Sequence, residues 1–66
     1  MIAFEVKDMS CGHCVSTITQ AVKDVDAGAS VNIDLVHHRV EIDSARCDSQ
    51  QLQAVIAEAG YTPQPA

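Results

Sequence analysis

Two cysteines, Cys11 and Cys14, lie three positions apart in the stretch Met9-Ser10-Cys11-Gly12-His13-Cys14. Strand-like alternation of apolar residues stops just before them, and helical spacing begins at Cys14, so the pair falls where a strand hands over to a helix. Thiolate sulfur is soft and polarizable and favours soft, closed-shell ions, Cu(I) above all. The unpaired N–H groups and dipole at a helix amino terminus favour thiolate over thiol. Two thiolates with no further ligand suit an ion that accepts linear coordination and must be handed on. The expected metal ligands are therefore Cys11 and Cys14, and the expected cargo is Cu(I).

The neighbouring sulfurs and imidazoles carry weaker signals. Cys14 falls on the apolar stripe of the coming helix, so packing alone would explain it. Cys11 sits between Ser10 and Gly12, ahead of the helix, and an exposed free thiol is harder to explain that way. Met9 reads as a gap-filling core residue rather than a third sulfur ligand. His13, in the first helical turn, is expected to face solvent and an approaching partner. His37 and His38 are expected in a solvated turn; a weaker reading puts one of them on the metal, or on a second copper at a dimer contact. Cys47 reads as a small buried residue remote from the pair.

Two rival chemistries use the same thiols. Cys-Gly-His-Cys is also the active-site tetrapeptide of protein disulfide isomerase, and C-x-x-C at a helix start is the thioredoxin arrangement. A thiol–disulfide oxidoreductase of that fold needs about 100 residues, an aromatic residue before the first cysteine and an internal cis-proline. Here Met9-Ser10 precede Cys11, and Pro63 and Pro65 sit at the tail. A structural zinc site wants four nitrogen or sulfur ligands. His37 and His38 are adjacent, so on a strand they would point to opposite faces.

The whole chain of 66 residues reads as one domain, 1–66, with 47% apolar residues, enough for a core but not for a large substrate cleft. No general base, nucleophile or substrate pocket is assignable, so no enzyme activity is expected. Phe4 and Tyr61 are the only aromatic residues, too few for a platform that stacks nucleic-acid bases. Nine acidic against four basic side chains give a formal charge of −5, which argues against nucleic acid and anionic lipid and suits a partner with a basic docking face. No apolar run approaches the roughly 18 residues of a membrane span. The start, with Glu5 and Lys7 in it, is not expected to be a signal peptide. Three cysteines cannot all pair and a reducing compartment keeps them as thiols, so the chain is expected to be cytoplasmic. An excised domain would read the same way.

Elements must bring the thiols to the surface. Ile2, Phe4 and Val6 alternate with Ala3, Glu5 and Lys7, a strand with one buried face. Cys14, Ile18, Ala21, Val22 and Val25 follow at helical spacing, with Gly28 as a helix stop. Val31, Ile33 and Leu35, then Val40 and Ile42, predict two strands around a turn at Val36-His37-His38-Arg39. Asp48 with Gln51 forms a capping-box pattern for a helix buried through Leu52, Val55, Ile56 and Ala59 and ended by Gly60. Tyr61-Thr62 leave room for a short last strand that Pro63 and Pro65 confine to a sheet edge. The order βαββαβ predicts an α+β, ferredoxin-like open-faced sandwich: a four-stranded antiparallel sheet with two helices on one face. That topology places the His37-His38 turn and the Gly60-Tyr61 loop at the cysteine end, and Cys47 at the other.

With these residues in place, the chain resembles the heavy-metal-associated domains, and among them the bacterial cytosolic copper chaperones that serve copper-exporting P-type ATPases. The resemblance rests on Met9 to Cys14 (M-x-C-x-x-C), the βαββαβ order and the Ala59-Gly60-Tyr61 ending, and covers essentially the whole chain. It implies Cu(I) on Cys11 and Cys14, Met9 propping the metal loop from the core, and Tyr61 bordering the site. It implies as partner a related metal-binding domain of a copper-transporting P-type ATPase, and a copper-responsive regulator as a further candidate. Apart from the resemblance, a monomer is expected, with a copper-bridged dimer as the alternative because two open bis-thiolate sites could share copper. Zinc-exporting relatives tend to carry Asp directly before the first cysteine, where this chain has Ser10. Mercury-binding relatives share the cysteine pair, so other thiophilic ions (Hg, Ag, Zn, Cd) remain alternative cargo. Asp8 departs from the family's usual Gly and would stiffen or recharge the approach to the loop.

Overall fold

The computed structural model describes residues 2–66; Met1, with which the expected domain begins, lies outside them. The elements run β1 (Ile2–Val6), α1 (Gly12–Val25), β2 (Ser30–Asp34), β3 (Arg39–Asp43), α2 (Ser49–Glu58) and β4 (Pro63–Pro65), the βαββαβ order expected. All strand pairs are antiparallel and the sheet order is β2-β3-β1-β4. The register sets Phe4 beside Val40, Ile2 beside Ile42, and Val31 and Ile33 beside Ile42 and Val40, so one face is continuously apolar. That face packs with Cys14, Ile18 and Val22 of α1 and Leu52 and Ile56 of α2 into one core. Removing a side chain this size from water is worth about 1.5–3 kcal/mol each, which is what a chain this short has to offset its ordering entropy. The alternate strand positions, among them Glu5, Asn32, Arg39, Glu41 and Asp43, carry the opposite, polar face.

The helix ends follow two different rules. In α2, Asp48 accepts from the Gln51 amide at 2.8 Å while the Gln51 side chain accepts from the Asp48 amide at 3.0 Å, the expected capping box. Its other end is a Schellman turn: Gly60, at φ +103°, donates to Ala57 and Tyr61 donates to Ile56. α1 ends differently from expectation. Asp26, not Gly28, closes it, leaving the helix in an extended conformation at φ −148°. The buried Asp26 carboxylate accepts from the Gly28 amide at 3.1 Å and from the Ser44 hydroxyl at 2.6 Å. Turning out there leaves Val25, expected on the buried stripe, 43% exposed.

β4 lies at the sheet edge, but on the prolines themselves rather than on Tyr61-Thr62. The Ala66 amide donates to the Ala3 carbonyl at 3.1 Å. An antiparallel ladder bonds alternate pairs, so Gln64 turns its bonding groups to Glu5 and the nitrogens of Pro63 and Pro65 point away from β1. The edge tolerates proline because those two positions need no donor.

Candidate metal site

The chain leaves β1 at Val6, and the Met9 amide returns to the Val6 carbonyl at 3.2 Å, making a tight exit turn. Met9 is fully buried, so its side chain anchors the turn from below, as expected of a core residue. Ser10 and Cys11 then run exposed across the surface. Cys11 occupies the cap position of α1 in extended geometry (φ −149°, ψ 170°) and its side chain makes no capping bond. The amides of Cys14 and Val15 fold back onto the Cys11 carbonyl, and one turn into the helix brings the Cys14 sulfur to 3.5 Å from that of Cys11. Cys11 is exposed and Cys14 is 8% exposed, so the pair opens to solvent on one side only.

The electrostatics of Cys14 suit a soft-metal ligand. Its pKa falls from 9.0 to about 6, chiefly through the Tyr61 hydroxyl beside it, then through the backbone N–H groups of Ser10 and Cys11, against the opposing cost of burial, with the Cys11 thiol adding a smaller pull. Tyr61 itself is shifted up, chiefly because a neighbouring Cys14 thiolate favours the protonated phenol, and partial burial adds to this. Tyr61 reaches the site because the Schellman turn at Gly60 sets the position that follows it against the core.

The other sequence candidates separate. His13 is exposed, and its carbonyl accepts from the Thr17 hydroxyl at 3.0 Å. His37 is exposed and pairs with Asp34 at 2.7 Å. His38 departs from the solvated-turn reading: it is half-buried, and its Nδ1 lies 2.8 Å from the Met9 carbonyl at the start of the cysteine loop. Asp8 accepts from the Thr62 amide at 3.2 Å, tying the same loop to the approach to β4. Neither tie was visible in the sequence. The one hint was a histidine in a short turn where left-handed backbone, and hence Gly or Asn, is favoured.

Cys47 is half-buried and lies beyond the far end of the 14-residue α1, about 20 Å along the helix from Cys11. The Ser44 hydroxyl that binds Asp26 at that end also accepts from the Cys47 amide at 3.1 Å. Among the described residues, no group of three or more His, Cys, Asp and Glu side chains converges to hold a metal. A two-sulfur pair is what the surface offers. Among the same described residues, no helix is long and apolar enough to cross a membrane.

The family model of the heavy-metal-associated domain matches residues 3–62. The chain belongs to the heavy-metal-associated domain family. The copper chaperone CopZ of Staphylococcus aureus is 31% identical over 58 residues, 85% of each chain. The structure of the copper chaperone Atx1 from Synechocystis PCC6803 superposes with a TM-score of 0.93 at 38% identity, covering 97% of this chain and all of the other. A gold-binding protein superposes with a TM-score of 0.94 at 29% identity over the full length of both chains. As a heavy-metal-associated domain the chain has the ferredoxin-like fold of its copper-chaperone relatives.

Proposed function

We propose that this domain carries Cu(I) on the Cys11 and Cys14 thiolates and passes it to a partner by ligand exchange. The observation that carries the reading is the sulfur pair itself, 3.5 Å apart on a loop exposed on one side. Metal–thiolate bonds of about 2.3 Å, the Zn–S scale, put two sulfurs about 4.6 Å apart across a linear ion, so loading asks the pair to open by only about 1 Å. Cys14, largely ionised at neutral pH, gives up little proton affinity when the ion arrives.

Transfer follows from the incomplete coordination shell. A thiolate from a docked domain attacks the open flank of the ion, a three-coordinate state forms, and the bond from the exposed Cys11 breaks first because its sulfur is the less enclosed. The chain supplies geometry and docking charge, and only metal–sulfur bonds are made and broken. A receiver of the same family, on a copper-transporting P-type ATPase, fits the similarity to CopZ and Atx1; a copper-responsive regulator is a second candidate. The net charge of −5 contributes to docking on a basic face, so association weakens with added salt. Two such open sites can also share copper across a dimer. A reducing, cytoplasmic setting keeps the pair available.

Similarity to a gold-binding protein supports a preference for soft metal ions over Zn(II). Anaerobic titration with Cu(I), Ag(I) and Zn(II), followed by amide NMR, tests the reading. Shifts confined to residues 9–15 and Tyr61 are expected, with Cu(I) and Ag(I) retained against a chelator and Zn(II) lost. Cys11→Ser and Cys14→Ser should each weaken Cu(I) binding by at least about 100-fold while the chain stays folded. Normal copper binding by either variant refutes the assignment. Transfer to a purified partner domain separates a carrier from a passive buffer.

A further inference from the structure

We propose that His38 is a positioning residue for the metal loop: its imidazole holds the Met9 carbonyl and so fixes the backbone from which Cys11 projects. The proposal rests on the reading of Cys11 and Cys14 as Cu(I) ligands only for its effect on copper; the strap itself stands on geometry.

Four observations converge on His38. Its ring Nδ1 lies 2.8 Å from the Met9 carbonyl oxygen, across 29 positions of sequence. A carbonyl only accepts, so Nδ1 carries the hydrogen and the ring is the Nδ1–H tautomer when neutral. The His38 carbonyl in turn accepts from the Val6 amide at 2.7 Å, so one residue grips both ends of the exit turn from β1. The third is the cost the residue bears: at φ 53° it is the only non-glycine in left-handed backbone among the described residues. A side chain kept at such a position needs something that holds it there. The fourth is the contrast with its neighbour. Asp34 accepts from the amides of Val36 and His37 and from the His37 ring, which turns His37 outward and leaves His38 to fold back over the loop.

Met9 is thereby held at every group it has: amide to Val6, side chain in the core, carbonyl to His38. Cys11 follows two residues later with no bond of its own at the cap. The strap orders the loop before the ion arrives, so less conformational freedom is lost when the two sulfurs close on it. His38 acts on copper through Met9, without coordinating it.

Two substitutions separate this role from its rivals. His38→Gly relieves the left-handed backbone and removes the strap. His38→Asn also tolerates that backbone and places an amide N–H where Nδ1–H stands. In metal-free protein, wild-type ring nitrogen shifts should report the Nδ1–H tautomer. Amide hydrogen exchange at residues 9–12 should rise on the order of 10-fold in His38→Gly and stay near wild type in His38→Asn. Cu(I) affinity against a competing chelator should fall roughly 3- to 10-fold in His38→Gly and recover in His38→Asn. Unchanged loop exchange and unchanged copper affinity in His38→Gly would overturn the proposal, as would an Nε2–H tautomer in the wild type. Loss of copper in both variants with undisturbed loop exchange would make His38 a direct ligand and overturn it equally. If the wild type itself binds no Cu(I), the functional reading fails, and the tautomer and exchange measurements still decide the strap.

Discussion

Tyr61 sets its hydroxyl against the Cys14 sulfur from the loop that follows α2, and it is the largest of the influences that bring the Cys14 pKa down to about 6. Removing that hydroxyl should leave the fold intact and move the pKa from about 6 back toward 9.0. In Tyr61→Phe, thiolate ultraviolet absorbance titrates at higher pH, and alkylation of Cys14 at pH 7 slows. The sign of the linkage follows from the depressed value. Thiolate stabilisation of the fold is fully present above 9.0, declines as pH falls, and is gone below about 6. Copper binding should accordingly lose affinity with falling pH most steeply below about 6, where a proton must first leave Cys14. An unchanged titration curve in Tyr61→Phe would show that the backbone N–H groups alone set the value.

Gly60 is the residue that delivers Tyr61. At φ +103° it sits where a Cβ is strained, although no atom lies within 4 Å of the place a Cβ would occupy. Gly60→Ala should therefore cost about 1–2 kcal/mol through backbone conformation alone, read from the urea midpoint. It should also raise the Cys14 pKa by shifting the phenol. A destabilised variant with an unaltered Cys14 titration would mean that the Schellman turn positions the helix end but not the hydroxyl.

At the opposite end, Asp26 links the close of α1 to the segment after β3. Its carboxylate is held below 3.8, first by the Ser44 hydroxyl, then, against burial, by the amides of Gly28 and Arg46 and by the Arg46 charge. That stabilisation is present above about 3.8 and is lost as pH falls through the lower folded value. Asp26→Ala should lower the urea midpoint at pH 7, and the gap to wild type should narrow in acid. Copper binding, a helix length away, should be unaffected. A constant gap from neutral to strongly acid pH would remove Asp26 from the acid response.

The 3.5 Å sulfur pair is also poised to oxidise. Treatment with a mild disulfide oxidant should join Cys11 to Cys14, the two thiols giving up two protons and two electrons as the oxidant is reduced. Free-thiol titration then counts Cys47 alone, and Cu(I) is no longer bound. Adding a reductant restores both. Retention of Cu(I) by the oxidised protein would contradict the ligand assignment.

Much of the architecture was legible because a small domain writes its core in its periodicity. Alternation in β1 and β3, the capping box at Asp48 and the stop at Gly60 are local signals, and each appears where the residues said it would. The misses were of another kind. Gly28 invited a glycine stop for α1, but Asp26 found its partner in Ser44, eighteen positions away. The last strand lay on the prolines because only the phase of the ladder tells which edge nitrogens need a hydrogen.

By itself, the amino-acid sequence determined the βαββαβ order, the face that is buried, and two soft sulfurs one helical turn apart at a strand-to-helix junction. Those features depend on the type and spacing of neighbours, and such information is local. Only the tertiary structure decided that Tyr61 acidifies Cys14, that Asp8 ties the cysteine loop to Thr62, and that His38 rather than His37 reaches Met9. Each of these depends on where separate loops meet at one end of the sheet and on which way a turn sends adjacent side chains. Hydrogen bonds between distant segments leave no periodic trace, so they become readable only once the sheet register and helix packing bring the partners together.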